Sequence, residues 1–565
     1  MEPIPNASPH FKNRENRRRI NGRVLDFNQA YDKTRSERAA AKMTGIPRST
    51  ARHHAKRQRE SGWDGALQEF FQTVTGTAFL HQWVLAVEFV LSQLGHCGLR
   101  LIQRIYELSG LDHVVACSLG ILSQRTKQME SNLTAYGEQQ EARLAATLEH
   151  NKAISCCLDE TFPSGICLVG MEPVSNFILL EEMAAKRDAV TWKEAIDKRL
   201  ANLPVQVIQV TSDEARALIN VTEQHLSAHH SPDLFHVMQE VSKASAAPLR
   251  AKLKKAQATA EQTTAALENL KDRQRAYKHQ ERKPVGRPVD YDRRLAEAEV
   301  VRQCSVQHVA IAESRRDKVR ETNKSLGEIY HPFDLNDGQK RMPAQLRREL
   351  NQAFDAIETT LTEAELSENS LKRVEKARRT VGSMVDTLEF FWLMVRSQLK
   401  WLALDGLLEQ VFVDVLLPAV YLELHAAKAE TAERRKQRMA SSKRLYERLE
   451  NDRHWQALPT DRKSTLKKIA LQCAQLFQRS SSNVEGRNGQ LSLYHHIYKK
   501  MTTRKLRAAT VIHNYFIRRP DGTTAAERFF GQAPEPLFKH LLEVTDHSAA
   551  PARKRSAVRK LSAVA

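Results

Sequence analysis

Glycine and proline are scarce in this chain of 565 residues. The sequence has 21 glycines and 19 prolines, together about 7% of the chain, where average usage of the pair is about 12%. Because these residues interrupt helices and form tight turns, their shortage argues against a loop-rich β-protein and favours long helices. At about 100–200 residues per domain, the length predicts three to five domains.

Paired cysteines, a signal sequence and an uninterrupted apolar run are also missing. The seven cysteines include no C-x-x-C pair, so neither a disulfide framework nor a zinc ribbon is expected. The first twenty residues are polar and arginine-rich, and the most apolar stretch, Phe390–Leu422, contains five charged residues. We therefore expect a protein of the reducing cytoplasm that makes no contact with a membrane.

Acidic residues are outnumbered, and the positive excess lies at the two ends of the chain. The net charge is +20, and residues 1–60 and 481–565 each carry 15 basic and 6 acidic residues. Such an excess indicates a polyanionic partner, most simply DNA; a basic surface kept for solubility is the alternative. Residues 151–240 carry 7 basic and 13 acidic residues, which suggests carboxylates gathered around metal ions or an acidic surface.

A pattern near the N-terminus predicts a helix-turn-helix. A helix over 36–43, a turn at Gly45 and a basic helix from Pro47 have the layout of this motif. An ordinary basic hairpin of helices is the alternative. The residues of the second helix that would face base edges and phosphates in the major groove are Arg48, Ser49, Thr50, Arg52 and Lys56.

Residues 63–150 are expected to form a helical domain. The stretch 61–99 contains no lysine or arginine and many apolar residues, which predicts a buried helical core. The stretch 99–129 repeats the rhythm of a helix, a turn and a helix. Both a second DNA-reading unit and a plain helical linker domain fit this pattern.

From residue 154 the sequence changes to short runs of β-branched and aliphatic residues. Such runs, with an amphipathic helix over 191–203 and a further helix over 214–226, predict an α/β layer. The predicted strands are Ile154–Leu158, Ile166–Met171, Phe177–Leu180 and Val205–Val210.

Residues 241–480 return to a helical pattern. Apolar residues spaced four and three apart over 249–277, and again over 298–311, predict an antiparallel helical hairpin that packs within the protein or mediates a dimer. The break between the two arms contains Gly286-Arg287-Pro288, which is similar to the core of a minor-groove AT-hook. Arg287 is therefore a candidate DNA contact, and a plain hairpin loop is the alternative.

Acidic side chains follow two of the predicted strands. Asp159 and Asp213 each come directly after a strand, and adjacent strand ends would bring their carboxylates within a few ångströms, where they can hold Mg²⁺ or Mn²⁺. Asp233-x-x-His236 comes about 20 residues later, and Glu485 begins a helix far downstream. Each residue alone is unremarkable, since such an aspartate often caps a helix, and the argument depends on their joint order.

This order resembles that of DDE transposases of the hAT and Mutator superfamilies and of related bacterial insertion-sequence enzymes. These enzymes carry Asp, Asp and Glu on an RNase H-like core, a C/D-x-x-H motif after the second Asp, and a large helical insertion before the Glu. Residues 511–531 and 330–335 are also similar to segments of bacterial transposases. The resemblance covers about 150–545 and implies transposition of DNA, with a helix-turn-helix at the N-terminus.

The resemblance also implies roles for individual residues. Asp159, Asp213 and Glu485 match the metal-binding triad, which would hold two divalent ions, Mg²⁺ or Mn²⁺. One ion would activate water or a DNA 3′-hydroxyl, and the other would stabilise the leaving oxygen. His236 would lie near the scissile phosphate or position the strand that carries Asp233, and a local hydrogen bond is the alternative role for this histidine.

Residues beside the triad are further candidates. Arg487 and Asn488 follow the glutamate and would contact DNA. In many such enzymes a Gly, Lys or Arg follows the second aspartate by a few residues. Here Glu214 directly follows Asp213 and is an alternative carboxylate for the metal site. Trp392 or Trp401 would match an insertion tryptophan that stacks on a flipped base, and core packing is the alternative.

The predicted architecture is mostly α-helical, with an α/β RNase H-like core interrupted by a large all-helical insertion. Its parts are the basic helix-turn-helix region 1–62, the helical domain 63–150, the first part of the core 151–240, the insertion 241–480, the last part of the core 481–550 and the basic tail 551–565. The predicted function is cleavage and transfer of mobile-element DNA by a homo-oligomer bound to terminal repeats and target. A non-catalytic DNA-binding regulator and a coiled-coil scaffold are the alternatives.

Overall fold

The computed structural model describes residues 26–545, apart from gaps at 28, 50–51, 53–64, 72, 114, 116, 149–150, 282–285 and 499–500. Within this part the protein is mostly helical and contains one mixed sheet of five strands. The predicted combination of many helices with a small α/β layer is confirmed at this level of detail.

Helices precede the sheet. A helical stretch covers 26–27 and 29–34, and the helices that follow it are α1 (Glu37–Thr44), α2 (Gly65–Phe70), α3 (Val74–Phe89), α4 (Leu99–Leu108) and α5 (Leu119–Ala145). The Ser36 side chain caps α1, which ends at Gly45 with φ of 68°, a left-handed conformation that suits glycine. Helical residues resume at 48–49. Thr50 and Lys56 lie outside the described residues, so the helix-turn-helix stays a prediction.

The helix α3 is the most apolar helix of this region. Together with the π-helical turn after it, Val74–Leu94 is long and apolar enough to cross a membrane by length and composition. Its Glu88 is nevertheless buried and pairs with Arg125 of α5, with Oε1 and Nη1 3.0 Å apart. Glu88 also accepts a hydrogen bond of 3.1 Å from the Tyr106 hydroxyl. This buried polar cluster connects α3 to α4 and α5.

The sheet is an antiparallel meander extended by two parallel strands. Its strands are β1 (Lys152–Thr161), β2 (Ile166–Glu172), β3 (Phe177–Ala184), β4 (Val205–Ser212) and β5 (His229–Pro232). They lie in the order β3-β2-β1-β4-β5, and β4 is parallel to both β1 and β5. Parallel neighbours need crossover connections, which contain α6 (Ala189–Leu200) and the short α7 (Arg216–Asn220).

The sheet differs from the sequence prediction in the lengths of the four predicted strands, each of which is longer than expected, and in a fifth strand. β1 continues through Asp159 to Thr161, because Asp159 pairs with Val169 and Thr161 with Cys167 of β2. β5 was not predicted, since its sequence His-His-Ser-Pro is polar. Its buried polar groups have partners, as His230 Nε2 lies 3.0 Å from the Ser212 hydroxyl. The apolar runs alone therefore gave four of the five strands.

A long hairpin of helices follows the sheet. The helices α8 (Leu234–Lys278) and α9 (Tyr291–Ile329) pack antiparallel, with the Thr263 and Ser305 hydroxyl oxygens 2.6 Å apart. Near the open end of the hairpin, Asn323 Nδ2 donates to the Met238 carbonyl at 3.0 Å. Of the predicted apolar stripe, Leu249, Leu253 and Leu267 are buried.

A bundle of further helices completes the insertion. They are α10 (Pro343–Glu363), α11 (Glu368–Arg379), α12 (Val381–Leu402), α13 (Gly406–Val411), α14 (Leu417–Ala426), α15 (Ala432–Glu450), α16 (Arg453–Gln456) and α17 (Thr460–Gln475). Their apolar faces form one core with the start of α8 and the end of α9. Most apolar residues of the stretch Phe390–Leu422 lie in this core, which explains its composition without a membrane.

The segment 476–481 returns the chain from the insertion to the sheet. Its carbonyl groups accept hydrogen bonds from Leu234 N at 3.0 Å and from Gln209 Nε2 at 3.3 Å. The segment therefore runs past β4 and the start of α8. The helices after it are α18 (Ser482–Tyr498), α19 (Thr503–Tyr515), α20 (Ala525–Phe530) and α21 (Leu537–Val544).

Side chains of β1 alternate between two apolar cores. Cys156 and Leu158 lie in a core shared with α5, α6 and α19. Cys157 lies in a second core with Val484 and Leu491 of α18. Since alternate residues of a strand share a face, Asp159 points to the same side as Cys157, towards α18.

Candidate functional site

Asp159 lies near the end of β1 and is held by two hydrogen bonds. Its Oδ1 accepts from the Glu160 backbone N–H at 2.8 Å, and its Oδ2 accepts from Asn488 Nδ2 of α18 at 2.8 Å. The side chain is half-buried. The carboxylate of β1 is thereby oriented by the same helix that carries Glu485.

Asp213 follows the last residue of β4. Its Oδ1 accepts a hydrogen bond of 3.2 Å from the Ala215 backbone N–H, which holds the side chain at the start of the turn before α7. The neighbouring Glu214 is exposed, and its charge interacts with Lys376 of α11 as well as with Asp213. Asp213 is therefore the better placed of the two carboxylates at the strand end.

Asp233 and His236 lie on the first turn of α8. Asp233 is buried and caps the helix, with Oδ1 accepting from the Phe235 N–H at 2.8 Å, and Oδ2 accepts a hydrogen bond from the Ser481 hydroxyl. One turn later, His236 Nε2 lies 3.7 Å from Asp233 Oδ2. Asp233 thus connects β5, α8 and the segment 476–481 directly beside the imidazole.

Glu485 enters the same site from the first turn of α18. Its Oε1 lies 3.5 Å from His236 Nε2, and suitable ligand atoms of Asp233, His236 and Glu485 all lie within 4.8 Å of one another. His236 Nε2 is buried and has no hydrogen-bond partner among the described residues. Ligand atoms about 2.1 Å from one tetrahedral ion are about 3.4 Å apart, so this spacing fits a shared divalent cation.

The acidic groups of the site influence one another. The pKa of Asp159 is raised to about 7, mainly by burial. The charges of Glu485 and Asp213 contribute to this rise, while the Glu160 N–H and His236 oppose it. Burial is also the main cause of the raised pKa of Glu160, whose Oε1 accepts a 3.3 Å hydrogen bond from Trp192 Nε1. A bound cation would relieve this accumulation of negative charge.

The structure corrects the predicted role of Arg487. Its guanidinium is buried rather than exposed to a ligand, and it forms a bidentate ion pair with Glu181 of β3, with Nε–Oε1 and Nη2–Oε2 distances of 2.6 and 2.7 Å. A DNA phosphate cannot reach an arginine enclosed in this way. Asn488 is also engaged inside the protein, through its hydrogen bond to Asp159.

The predicted DNA contacts outside the site lie on the surface where they are described. Arg48 and Arg52 are exposed and lie 3.5 and 3.6 Å from the Glu37 carboxylate of α1. Ser49 is exposed, and so is Arg287, in the turn between α8 and α9. These groups are accessible to a partner.

The two candidate tryptophans of the insertion, Trp392 and Trp401, differ in environment. Trp392 is buried, and its Nε1 donates to the Arg341 carbonyl at 3.2 Å, which makes it a core residue. Trp401, at the end of α12, is 78% exposed. Only Trp401 is free to stack on a ligand.

Sequence reasoning missed the groups that position the site. Glu181 belongs to β3 and directly follows its apolar run Phe177–Leu180. A charged residue on a strand of this kind is a signal that it has a buried partner. Ser481 belongs to a cluster of serines before α18, where a capping role was the natural expectation. Its contact with Asp233 depends on the path of the segment 476–481, which no local pattern indicates.

Comparison with known proteins gives limited guidance. Residues 412–557 match DUF6399, a family of unknown function. This segment begins in the insertion and includes α18 with Glu485. Neither the curated proteins nor the solved structures contain a match to the chain.

Proposed function

We propose that the protein is a DDE-type transposase, which cleaves and transfers strands of double-stranded DNA with divalent metal ions. The supporting observation is that Asp159 lies near enough to Asp213, His236 and Glu485 for their charges to shift its pKa, with His236 Nε2 3.5 Å from Glu485 Oε1. The ligand atoms that lie within 4.8 Å of one another are those of Asp233, His236 and Glu485. The raised pKa of the half-buried Asp159 carboxyl means that its ionised form reduces the free energy of unfolding at neutral pH. A function that requires negative charge is the simplest reason for its retention.

The proposal includes an RNase H-like identity for the sheet. The meander β1–β3 with parallel β4 and β5 provides adjacent strands for the two aspartates. The helices α8–α17 separate them from the glutamate of α18, in the order that the family resemblance implies. The same resemblance makes the N-terminal helices a DNA-binding region.

The acidic edge suits hard divalent cations. Asp159, Asp213 and Glu485 would hold two ions, Mg²⁺ or Mn²⁺, and Asp233 with His236 offers further ligands beside Glu485. An imidazole ligand favours Mn²⁺ over Mg²⁺ at that position. When bound, such ions activate water or a DNA 3′-hydroxyl for attack on a phosphodiester and stabilise the leaving oxygen.

The residues of the chain itself contribute positioning. Asn488 and the Glu160 N–H orient the Asp159 carboxylate, and the pair Arg487–Glu181 fixes α18 on the sheet. Asp233 fixes the first turn of α8 and thereby the His236 imidazole. The surface residues Arg48, Ser49 and Arg52 would bind the terminal repeats of the element, on which the protein would act as a homo-oligomer.

Metal-dependent DNA cleavage tests the proposal. A plasmid that carries the coding sequence with its natural flanking DNA is incubated with the full chain and Mg²⁺ or Mn²⁺, and nicked and linear products are measured. We expect Asp159→Asn, Asp213→Asn and Glu485→Gln to reduce the cleavage rate at least 100-fold. The matched control is Glu214→Gln, which removes a neighbouring exposed carboxylate and should retain cleavage. Wild-type rates for Asp213→Asn or Glu485→Gln would contradict the proposal.

The same experiment distinguishes the alternative of a non-catalytic DNA-binding regulator. A regulator would bind the flanking DNA and protect defined sites, yet produce no metal-dependent cleavage by the wild-type chain. The accumulation of carboxylates at the sheet edge favours the enzyme, because a purely DNA-binding surface gains nothing from negative charge.

A further inference from the structure

A large basic cavity adjoins the acidic edge. Its volume is about 610 Å³, within the range of about 300–1,000 Å³ that is usual for ligand sites. The first turns of α8 and α18, which carry His236 and Glu485, form one side of it. The opposite walls come from the end of α9, from α14 and α15, and from Arg479 in the segment 476–481.

The cavity contains more positive than negative charge. Six lysines and arginines line it, against the two carboxylates of Glu328 and Glu430. Glu328 is already held by Arg434 and Arg438, at 3.1 and 2.7 Å. This leaves Lys324 and the group of Lys428, Arg479 and Arg519 without a carboxylate partner among the described residues.

These three cations lie close to one another. Burial lowers the pKa of Lys428, and the positive charges of Arg479 and Arg519 lower it further. Arg479 Nη1 donates to the Gly327 carbonyl at 2.7 Å. Lys428 and Arg519 are exposed at the cavity surface and Arg479 is half-buried. Repulsion between the three cations disfavours the folded chain, and an anion bound between them would reverse that effect.

An exposed aromatic ring stands at the same wall. Phe235, which immediately precedes His236, lines the cavity and is 47% exposed. An aromatic face beside cations is the arrangement by which proteins bind single-stranded nucleic acid, with bases stacked on rings and phosphates on lysine or arginine. A sphere of the cavity's volume is about 10.5 Å across, which is narrower than the major groove of B-DNA alone, about 12 Å. A duplex is therefore too wide to enter this space.

We propose that this cavity binds single-stranded DNA next to the scissile phosphate, with phosphates against Lys428, Arg479 and Arg519 and a base against Phe235. The proposal rests on the proposed function, because the strand continues from the cavity to the carboxylates of α18 and β1. Unpaired nucleotides at the cleavage point would thus be held apart from the duplex.

Binding measurements without metal test the cavity independently of catalysis. Fluorescence anisotropy of a labelled 20-nucleotide oligothymidine and of a duplex of equal length is recorded with the full chain in EDTA, between 50 and 300 mM salt. We expect Lys428→Glu/Arg519→Glu to weaken single-strand binding at least tenfold at 150 mM salt. The slope of log K against log salt should fall by about 1.4, the value for two lost phosphates. Duplex binding should change less than threefold.

Two further variants complete the design. Phe235→Ala should weaken single-strand binding at least fivefold with an unchanged salt slope, because it removes stacking and not charge. Lys193→Glu/Lys198→Glu on α6 makes the same charge change on exposed residues away from the cavity and should leave single-strand binding within threefold. Thermal melting by circular dichroism verifies that each variant is folded.

The outcomes separate the two proposals. Single-strand binding with an unchanged salt slope in the double variant overturns the cavity proposal, even if metal-dependent cleavage occurs. Displacement of oligothymidine by inorganic phosphate or thymidine monophosphate at micromolar concentration overturns it too, because the cavity would then be a site for a small phosphate compound. Loss of single-strand binding in a chain that never cleaves DNA supports the cavity and contradicts only the transposase.

Discussion

Arg487 of α18 and Glu181 of β3 form a buried, bidentate ion pair that fixes the helix of Glu485 on the sheet. The Thr510 hydroxyl of α19 donates to the same Glu181 carboxylate at 2.5 Å. The sequence suggests Arg487, two residues after Glu485, as a DNA contact. It is instead part of the scaffold that determines where Glu485 lies. The pair therefore links the stability of α18 to the geometry of the acidic edge.

Breaking this pair is expected to destabilise the protein strongly. Glu181→Gln leaves the guanidinium buried without its counter-charge, and the loss should be about 3–5 kcal/mol in free energy of unfolding. The double variant Glu181→Leu/Arg487→Met removes both charges and should recover at least half of that loss. Urea unfolding followed by circular dichroism measures all three chains. Equal destabilisation by the single and double variants would refute a role for the charges.

Asp159 is expected to make stability depend on pH. Its pKa is about 7 in the folded chain and about 3.9 when unfolded, so between these values the folded state holds a proton that the unfolded state lacks. The stabilisation of the folded chain by this proton is complete below the unfolded pKa of about 3.9 and is lost as pH rises through the folded pKa of about 7. Asp159→Asn has no such loss, and it should gain about 1–2 kcal/mol over wild type from pH 5 to pH 8 after solvent screening.

Thermal melts at pH 5 and pH 8 in EDTA measure this gain. Addition of Mn²⁺ at pH 8 should stabilise wild type more than Asp159→Asn, because a cation replaces the missing proton. If the stability difference between wild type and Asp159→Asn is the same at both pH values, Asp159 is not protonated in the folded chain.

The cluster Asp233–His236–Glu485 is expected to bind Mn²⁺. Isothermal titration of the full chain should show Mn²⁺ affinity that falls about 10–100-fold in His236→Ala and in Glu485→Gln, since each removes one ligand. Glu214→Gln serves as the control and should bind as wild type does. Affinity unaffected by His236→Ala would restrict the site to carboxylates and leave the imidazole a positioning group.

The exposed arginines after α1 are expected to bind duplex DNA. Arg48→Ala/Arg52→Ala should weaken binding to the flanking DNA and reduce the salt slope by about 1.8, the value for two phosphate contacts. Lys271→Ala/Arg275→Ala on α8 removes the same charge from residues in exposed ion pairs and provides the comparison. Gel-shift titrations at several salt concentrations give both slopes. Identical slopes for the two double variants would remove the case for a helix-turn-helix.

Local sequence patterns predicted the helices and strands better than the contacts between them. The apolar runs around Cys156, Val169 and Leu179 predicted strands because a buried strand is apolar on both faces. The strand β5 was missed because His230 and Ser231 are buried with hydrogen-bond partners, which composition does not indicate. A strand of this kind is visible only once its neighbour β4 is in place.

The residues of the candidate site could be named from the sequence, but their geometry could not. Asp159 and Asp213 were found because each lies near the end of an apolar run. The 3.5 Å separation of His236 and Glu485 depends on the segment 476–481, whose contacts to Asp233 and Gln209 are between residues far apart in the chain. The burial of Arg487 was missed because charge alone does not distinguish a scaffold arginine from an exposed one.

The path of the segment 476–481 has a consequence for biosynthesis. Glu485 lies about 270 residues after Asp213 and reaches the sheet only when the intervening helices have folded and brought this segment back across β4. A chain that is still emerging from the ribosome, or that is truncated within the insertion, has the aspartates but no complete acidic edge. Assembly of the site is thereby delayed until almost the whole protein has been made.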